Sequence, residues 1–269
     1  MGKVFIEESS LTAIGNAIRA KTGDTALLGV PEGMVAAIEG IPTSDLADEL
    51  INRTITKYES DITEINSGTF CYCQQLTDVN CPNVTEIKDY SFYNCDKLEN
   101  ISFPNVVTTG SYSFSYCRNL ESISFPNVTS VGPYCFEYCT NLINVNLPSL
   151  TTIRSSGLFM RCDKITSLIL PNLTTVSNYS LYYMTDVLEI ILPKITKIQN
   201  YTFNYDYSLV KLVIGTDLTT VIPLTNTNAF TSCYHLLGTT NSSYNPTGAK
   251  DCYIYVPASL VADYRTATN

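Results

Sequence analysis

Apolar and polar positions along the middle of this chain follow a fixed period. Leu98, Ile101 and Phe103 alternate with polar residues and are closed by Pro104, and Leu120, Ile123 and Phe125 do the same before Pro126. Pro82, Pro104, Pro126, Pro148, Pro171 and Pro193 recur at spacings of 22, 22, 22, 23 and 22, and Gly215 falls on the next step. Counting each proline as the first residue, the third position reads Val84, Val106, Val128, Leu150, Leu173 and Ile195, and the sixth Ile87, Thr109, Val131, Ile153, Val176 and Ile198. Both columns are apolar but for Thr109. An aromatic or leucine column follows at Phe92, Phe114, Phe136, Leu158, Leu181 and Phe203, and residues 60–81 read as a degenerate first copy. Residues 60–214 therefore hold seven copies.

A unit this short cannot enclose its apolar side alone, so successive copies must stack, and the fold class this predicts is a repeat solenoid. Alternation ending at a proline reads as a short strand, because proline cannot donate to a ladder. "NVTEI" is a second extended piece, "DYSFYNCDK" suits one tight helical or 3₁₀ turn, and strands of neighbouring copies should run parallel. The ends break the period. Residues 1–45 read as a helical segment: Ser9 or Ser10 can cap a helix presenting Leu11, Ile14 and Ile18, and Pro31 opens a shorter one with Met34, Val35 and Ile38. Residues 46–59 should cap the stack with a helical turn and a strand through Thr54, Thr56 and Tyr58. Residues 215–269 read as a stretched last copy, a turn-rich loop, then a closing strand and helix.

The consensus P-N-V-T-x-I-x-x-Y-S-F-x-x-C-x-x-L-x-x-I-x-F resembles the BspA-like, or Treponema-type, leucine-rich repeats of bacterial surface proteins. The resemblance implies a curved, right-handed leucine-rich-repeat stack used for binding, adhesion or host contact, with no catalysis. It also implies a cell-surface or extracellular setting. Glycine after the sixth position, usual in that family, is kept only at Gly110 and Gly132. The alanine before the aromatic is replaced at Ser91, Ser113, Cys135, Gly157, Ser180 and Thr202. Separately, "LTAIGNAIRAKTG" with "VPEGMVAAIEGI" resembles the short leader before such repeats in phage tail-associated proteins, which would place the chain on a virion tail.

Composition narrows the partners. A net charge of −9 and a pI near 4.6, with no local Lys/Arg cluster, leave nothing to hold a phosphate backbone, which excludes nucleic acid. No apolar stretch reaches the length of a membrane span, and the first residues hold no apolar core of the kind an export signal needs. Ten cysteines invite a metal or disulfide reading. Six of them, Cys73, Cys95, Cys117, Cys139, Cys162 and Cys233, share one repeat column with Met184 and Asp206, a spacing no zinc site uses. Stacked copies bring such cysteines near bridging distance, but side chains that point the same way favour small buried hydrophobes. The single histidine, His235, leaves a nucleophile only one base, no phosphate loop is present, and no cofactor is implied. The chain is read as non-enzymatic.

Tyrosine is the informative excess. Tyr90, Tyr112, Tyr134, Tyr179 and Tyr201 fall on one column, and Tyr72, Tyr116, Tyr138, Tyr183 and Tyr205 on another four residues later, which a helical turn would bring to one side. Tyrosine offers broad contact area and a hydrogen-bonding tip at low entropic cost, so the two columns are a candidate binding surface, with packing into the core edge as the alternative. The outward strand positions Glu99, Asn100, Ser102, Glu121, Ser122, Ser124, Asn144 and Asn146 form a second candidate face. The expected partner is a protein or glycan on a cell surface, and the rival to a binding module is a structural spacer. Oligomeric state is not legible.

Overall fold

A computed structural model describes residues 49–50, 53–153, 156–215, 229–230 and 233, and the backbone of Tyr253–Tyr255. The predicted helices of residues 1–45, most of the last copy including His235, the turn-rich loop and the closing helix lie outside the described residues. So does the phage-tail resemblance.

The described residues form fifteen strands. In chain order they are β1 (Lys57–Glu59), β2 (Glu64–Ile65), β3 (Asp78–Asn80), β4 (Glu86–Ile87), β5 (Asn100–Ser102), β6 (Thr108–Thr109), β7 (Ser122–Ser124) and β8 (Ser130–Val131). β9 (Asn144–Asn146), β10 (Thr152–Ile153), β11 (Ser167–Ile169), β12 (Thr175–Val176), β13 (Glu189–Leu192), β14 (Lys211–Ile214) and β15 (Tyr253–Tyr255) follow. Every pairing is parallel and joins equivalent residues of successive copies, such as Val79 to Ile101 and Ile87 to Thr109. One side of the stack is a single six-stranded ladder, β2-β4-β6-β8-β10-β12. Another carries the ladders β1-β3-β5, β7-β9 and β11-β13-β14-β15. The described residues form the solenoid of parallel strands expected from the period, with almost no helix among them. In the cap, the strand is confined to Lys57–Glu59; Tyr58 is buried while Thr54 and Thr56 are exposed, so the three do not share a face.

Two-residue strands are viable because the turn side is hydrogen-bonded between copies as well. Tyr90, Phe92 and Asn94 donate their N–H groups to the carbonyls of Ser111, Ser113 and Ser115, one copy on, at 2.8, 2.7 and 2.8 Å. This third ladder satisfies backbone groups that would otherwise be enclosed without partners. Where two coils draw closest the residue is glycine: a Cβ on Gly132 would sit 2.3 Å from the carbonyl carbon of Gly110.

The core is a file of stacked rings flanked by aliphatic columns. Phe70, Phe92, Phe114, Phe136 and Phe159 succeed one another with centroids 5.0–5.6 Å apart and planes within 13°, and Tyr58 closes the file edge-on against Phe70 at 4.8 Å. Phe159, not Leu158, continues the aromatic column. Ile153 still pairs with Val131, 22 residues back, but pairs with Val176, 23 residues on, so the additional residue of this copy lies between Ile153 and Gly157. It advances Gly157 into the first tyrosine column and Phe159 into the ring file, correcting by one residue the columns counted from Pro148. Thr109, the exception in the sixth-position column, is buried with its Oγ1 3.2 Å from Cys135 Sγ, which also meets Ser113 Oγ at 3.1 Å. Two other hydroxyls that replace alanine bond carbonyls three residues back, Ser91 to Lys88 at 2.7 Å and Thr202 to Gln199 at 2.8 Å.

Candidate functional site

The turn side carries the tyrosines. It keeps the i to i+3 bonds of a 3₁₀ turn, such as Tyr93 N–H to Tyr90 C=O at 3.1 Å and Cys95 N–H to Phe92 C=O at 3.2 Å, but left-handed residues interrupt any helical path. All ten tyrosines of the two columns have φ between +52° and +64°. A residue with a Cβ is held in this region at a cost of roughly 1–2 kcal/mol. Gly68 (φ +68°), Asn94 (φ +58°), Gly157 (φ +66°) and Arg161 (φ +61°) occupy the remaining places in the same two columns. Each copy thus has two left-handed positions four residues apart, and tyrosine fills them far more often than the residues that adopt this conformation readily.

The rings stack between copies. Tyr90, Tyr112 and Tyr134 form a run with centroids 5.1 and 5.0 Å apart, Tyr116 and Tyr138 stack at 4.7 Å, and Tyr179 and Tyr201 at 4.7 Å. Two tyrosines that the column reading missed tie the columns together. Tyr93 meets Tyr72, Tyr90 and Tyr116 edge-on at 5.4, 5.7 and 5.7 Å, and Tyr182 meets Tyr179 and Tyr183 at 5.4 and 6.2 Å. Both lie in a middle column of otherwise mixed residues, so periodicity could not flag them. Over Gly157 the first row is interrupted: the space a Cβ would take is 2.5 Å from the Tyr134 ring and 3.4 Å from Tyr182. Tyr90 and Tyr205 are exposed and the other eight half-buried, so the face is accessible along its length. Burial raises the hydroxyl pKa of Tyr90, Tyr93, Tyr112 and Tyr116, and pushes that of Tyr182 up to about 12, so these tips are neutral donors at physiological pH.

The eight residues of the second face are all exposed. Three of them are engaged in side-chain bonds between copies: Asn100 Nδ2 donates to Asp78 Oδ1 at 2.9 Å and Asn146 Nδ2 to Ser124 Oγ at 2.9 Å, and the adjoining Asn80 Nδ2 donates to Glu59 Oε1 at 2.8 Å. A ligand there competes with bonds already made.

The cysteine column is interior, and it holds more than packing. Of the nine described cysteines all but Cys71 are buried. Thiols of Cys95, Cys117, Cys139 and Cys162 donate to the carbonyls of Phe70, Phe92, Phe114 and Phe136 at 2.9, 3.2, 3.1 and 3.0 Å. Cysteine supplies a donor in the volume of a small hydrophobe, a role the spacing alone did not reveal. Asp206, in the same column, accepts the Met184 N–H at Oδ1 at 2.8 Å, while its buried Oδ2 has no partner among the described residues. Burial therefore raises its carboxyl well above the ordinary range. Among the described residues no group of His, Cys, Asp and Glu could hold a metal ion, and no helix is long and apolar enough to cross a membrane.

Short parallel strands, a three-sided inter-copy ladder and an aromatic-lined turn define a leucine-rich-repeat solenoid. The model of the BspA type leucine rich repeat region matches residues 49–128 and 107–237 in six copies, and the chain belongs to that family. Similar solved structures include a leucine-rich repeat protein from Bacteroides ovatus, at 20% identity, 76% of this chain, 82% of that one and TM-score 0.43. The pneumococcal vaccine antigen PcpA is similar at 14% identity over 76% of this chain and 61% of that chain, with TM-score 0.46. A leucine rich cell surface protein from Faecalibacterium prausnitzii is similar at 15% identity over 76% and 89%, with TM-score 0.33. Among curated proteins none matches. The family assignment rests on the repeats.

Proposed function

We propose that this chain is a non-enzymatic binding module of a bacterial cell-surface protein, engaging a protein or glycan through its tyrosine face. The observation that carries the reading is that ten tyrosines are kept in a left-handed backbone conformation, half-buried or exposed, and that seven of them stack face to face between copies. Backbone cost held repeatedly in one place points to use. Pre-stacked rings have already given up their rotamer freedom, so a partner would lose little entropy in ordering them. The second face has no such feature.

The test replaces Tyr116 and Tyr138 by asparagine, the residue that already fills the equivalent position at Asn94. On an array of cell-surface proteins and glycans, the double variant should lose capture by about tenfold or more while its melting temperature stays within about 4 °C of the parent. Unchanged capture would leave the spacer role as the better reading.

A further inference from the structure

At the centre of the tyrosine face stands one carboxylate. Glu137 lies between Tyr134 and Tyr138 in sequence, half-buried, with Oε2 accepting the Ser115 hydroxyl at 3.0 Å. Its backbone ties it to the rings: Tyr116 donates its N–H to the Glu137 carbonyl at 2.8 Å, Glu137 donates its own N–H to the Tyr134 carbonyl at 3.2 Å, and Tyr182 approaches the Tyr134 ring over Gly157. Burial raises the hydroxyl pKa of Tyr93, Tyr112, Tyr116 and Tyr182, and the Glu137 charge adds to the rise in each. Burial also raises the carboxyl of Glu137 itself, against the opposing Ser115 bond. No cation among the described residues pairs with it. The two arginines flanking the face are engaged elsewhere, Arg118 with Asp96 Oδ1 at 3.0 Å and Arg161 with Asp163 Oδ2 at 3.7 Å.

Those arginines nevertheless show what the rings accept. The guanidinium carbon of Arg118 lies 5.1 Å from the Tyr116 centroid, and that of Arg161 lies 5.2 Å from the Tyr183 centroid. A partly desolvated carboxylate without a counter-charge is relieved by an incoming cation, and the negative ring faces around it favour the same ligand. The net charge of −9 attracts basic partners at longer range. A neutral glycan hydroxyl would leave the charge uncompensated.

Resting on the tyrosine face as the binding face, we infer that Glu137, with Tyr112, Tyr116, Tyr138 and Tyr182, receives an arginine side chain of a protein partner. The planar guanidinium can stack on a ring while its edge donates to the carboxylate, which a compact ammonium cannot do.

The experiment titrates the full chain calorimetrically with the peptide acetyl-Gly-Arg-Gly-amide and with its citrulline counterpart, which keeps the shape and loses the charge. The arginine peptide should bind at least about tenfold tighter, and Glu137→Gln should abolish that preference with the melting temperature unchanged. Absence of binding, equal affinity for the two peptides, or a preference that survives in Glu137→Gln overturns the inference. Array capture separates it from the broader reading. Capture lost in Tyr116→Asn/Tyr138→Asn but kept in Glu137→Gln overturns the arginine site and spares the tyrosine face, whereas capture kept in both overturns both.

Discussion

The cysteine column and the tyrosine columns recur with the same step, yet the solenoid uses them in opposite ways. Cys95, Cys117, Cys139 and Cys162 are enclosed, and each directs its only proton to a carbonyl of the preceding copy. The tyrosines stand outside, in a backbone conformation that suits glycine better, touching mainly one another. Recurrence establishes only that positions are equivalent. Burial, and the backbone cost a residue imposes, separate the side chain that holds the fold from the one it presents.

The sharpest way to break this contrast is to truncate neighbouring rings on its two sides. Phe114→Ala removes the middle of the buried file and should destabilise by about 3–5 kcal/mol in denaturant unfolding; a loss below about 1 kcal/mol would remove the ring file from the core. Cys117→Ala leaves a small void and removes one of the two hydrogen bonds to the Phe92 carbonyl, which keeps the Cys95 N–H, so a cost of about 1–3 kcal/mol is expected from void and lost bond together. Matching stability in the alanine variant would reduce the thiol to filler.

Asp206 tests the same column in reverse. Its carboxyl pKa is raised in the folded protein, so this group supports folding fully below its ordinary pKa of 3.8, and the support is lost as pH rises toward the folded value. Asp206→Asn keeps the acceptor for the Met184 N–H without the charge. It should therefore gain on the parent by about 1–3 kcal/mol at pH 8 and by much less near pH 4, a gap readable from paired melting curves. A difference independent of pH would mean that Asp206 is not the source. Smallest of all, Tyr112→Gly relieves a left-handed φ of +54° while losing two stacked neighbours, so the net change should stay within about 1 kcal/mol. A loss near that of Phe114→Ala would move the tyrosines into the supporting structure.

In a stack whose contacts run between equivalent residues, spacing alone reports which residues meet, and so the strands, the valine and isoleucine columns and the cysteine column were legible from the chain. Counting failed where the period slipped: between Ile153 and Gly157 one added residue changed which side chain joins the ring file, and a proline 23 residues on could not say where it was absorbed. The left-handed tyrosines were hidden for a different reason. Positive φ is ordinarily read from glycine and asparagine, and the signal was there only in minority members of the columns, Gly68, Asn94 and Gly157. Glu137, Tyr93 and Tyr182 belong to a column with no consensus, so only the geometry brings them together.

The stacked rings also have an optical consequence. The chain contains nineteen tyrosines and no tryptophan, and neighbouring rings on this face lie 4.7–5.1 Å apart. Excitation absorbed by one ring can pass along such a row before it is emitted. A tryptophan brought in by a bound partner would act as a sink for the row, so occupancy of the face would be visible as a shift from phenol to indole emission, without any label attached to the protein.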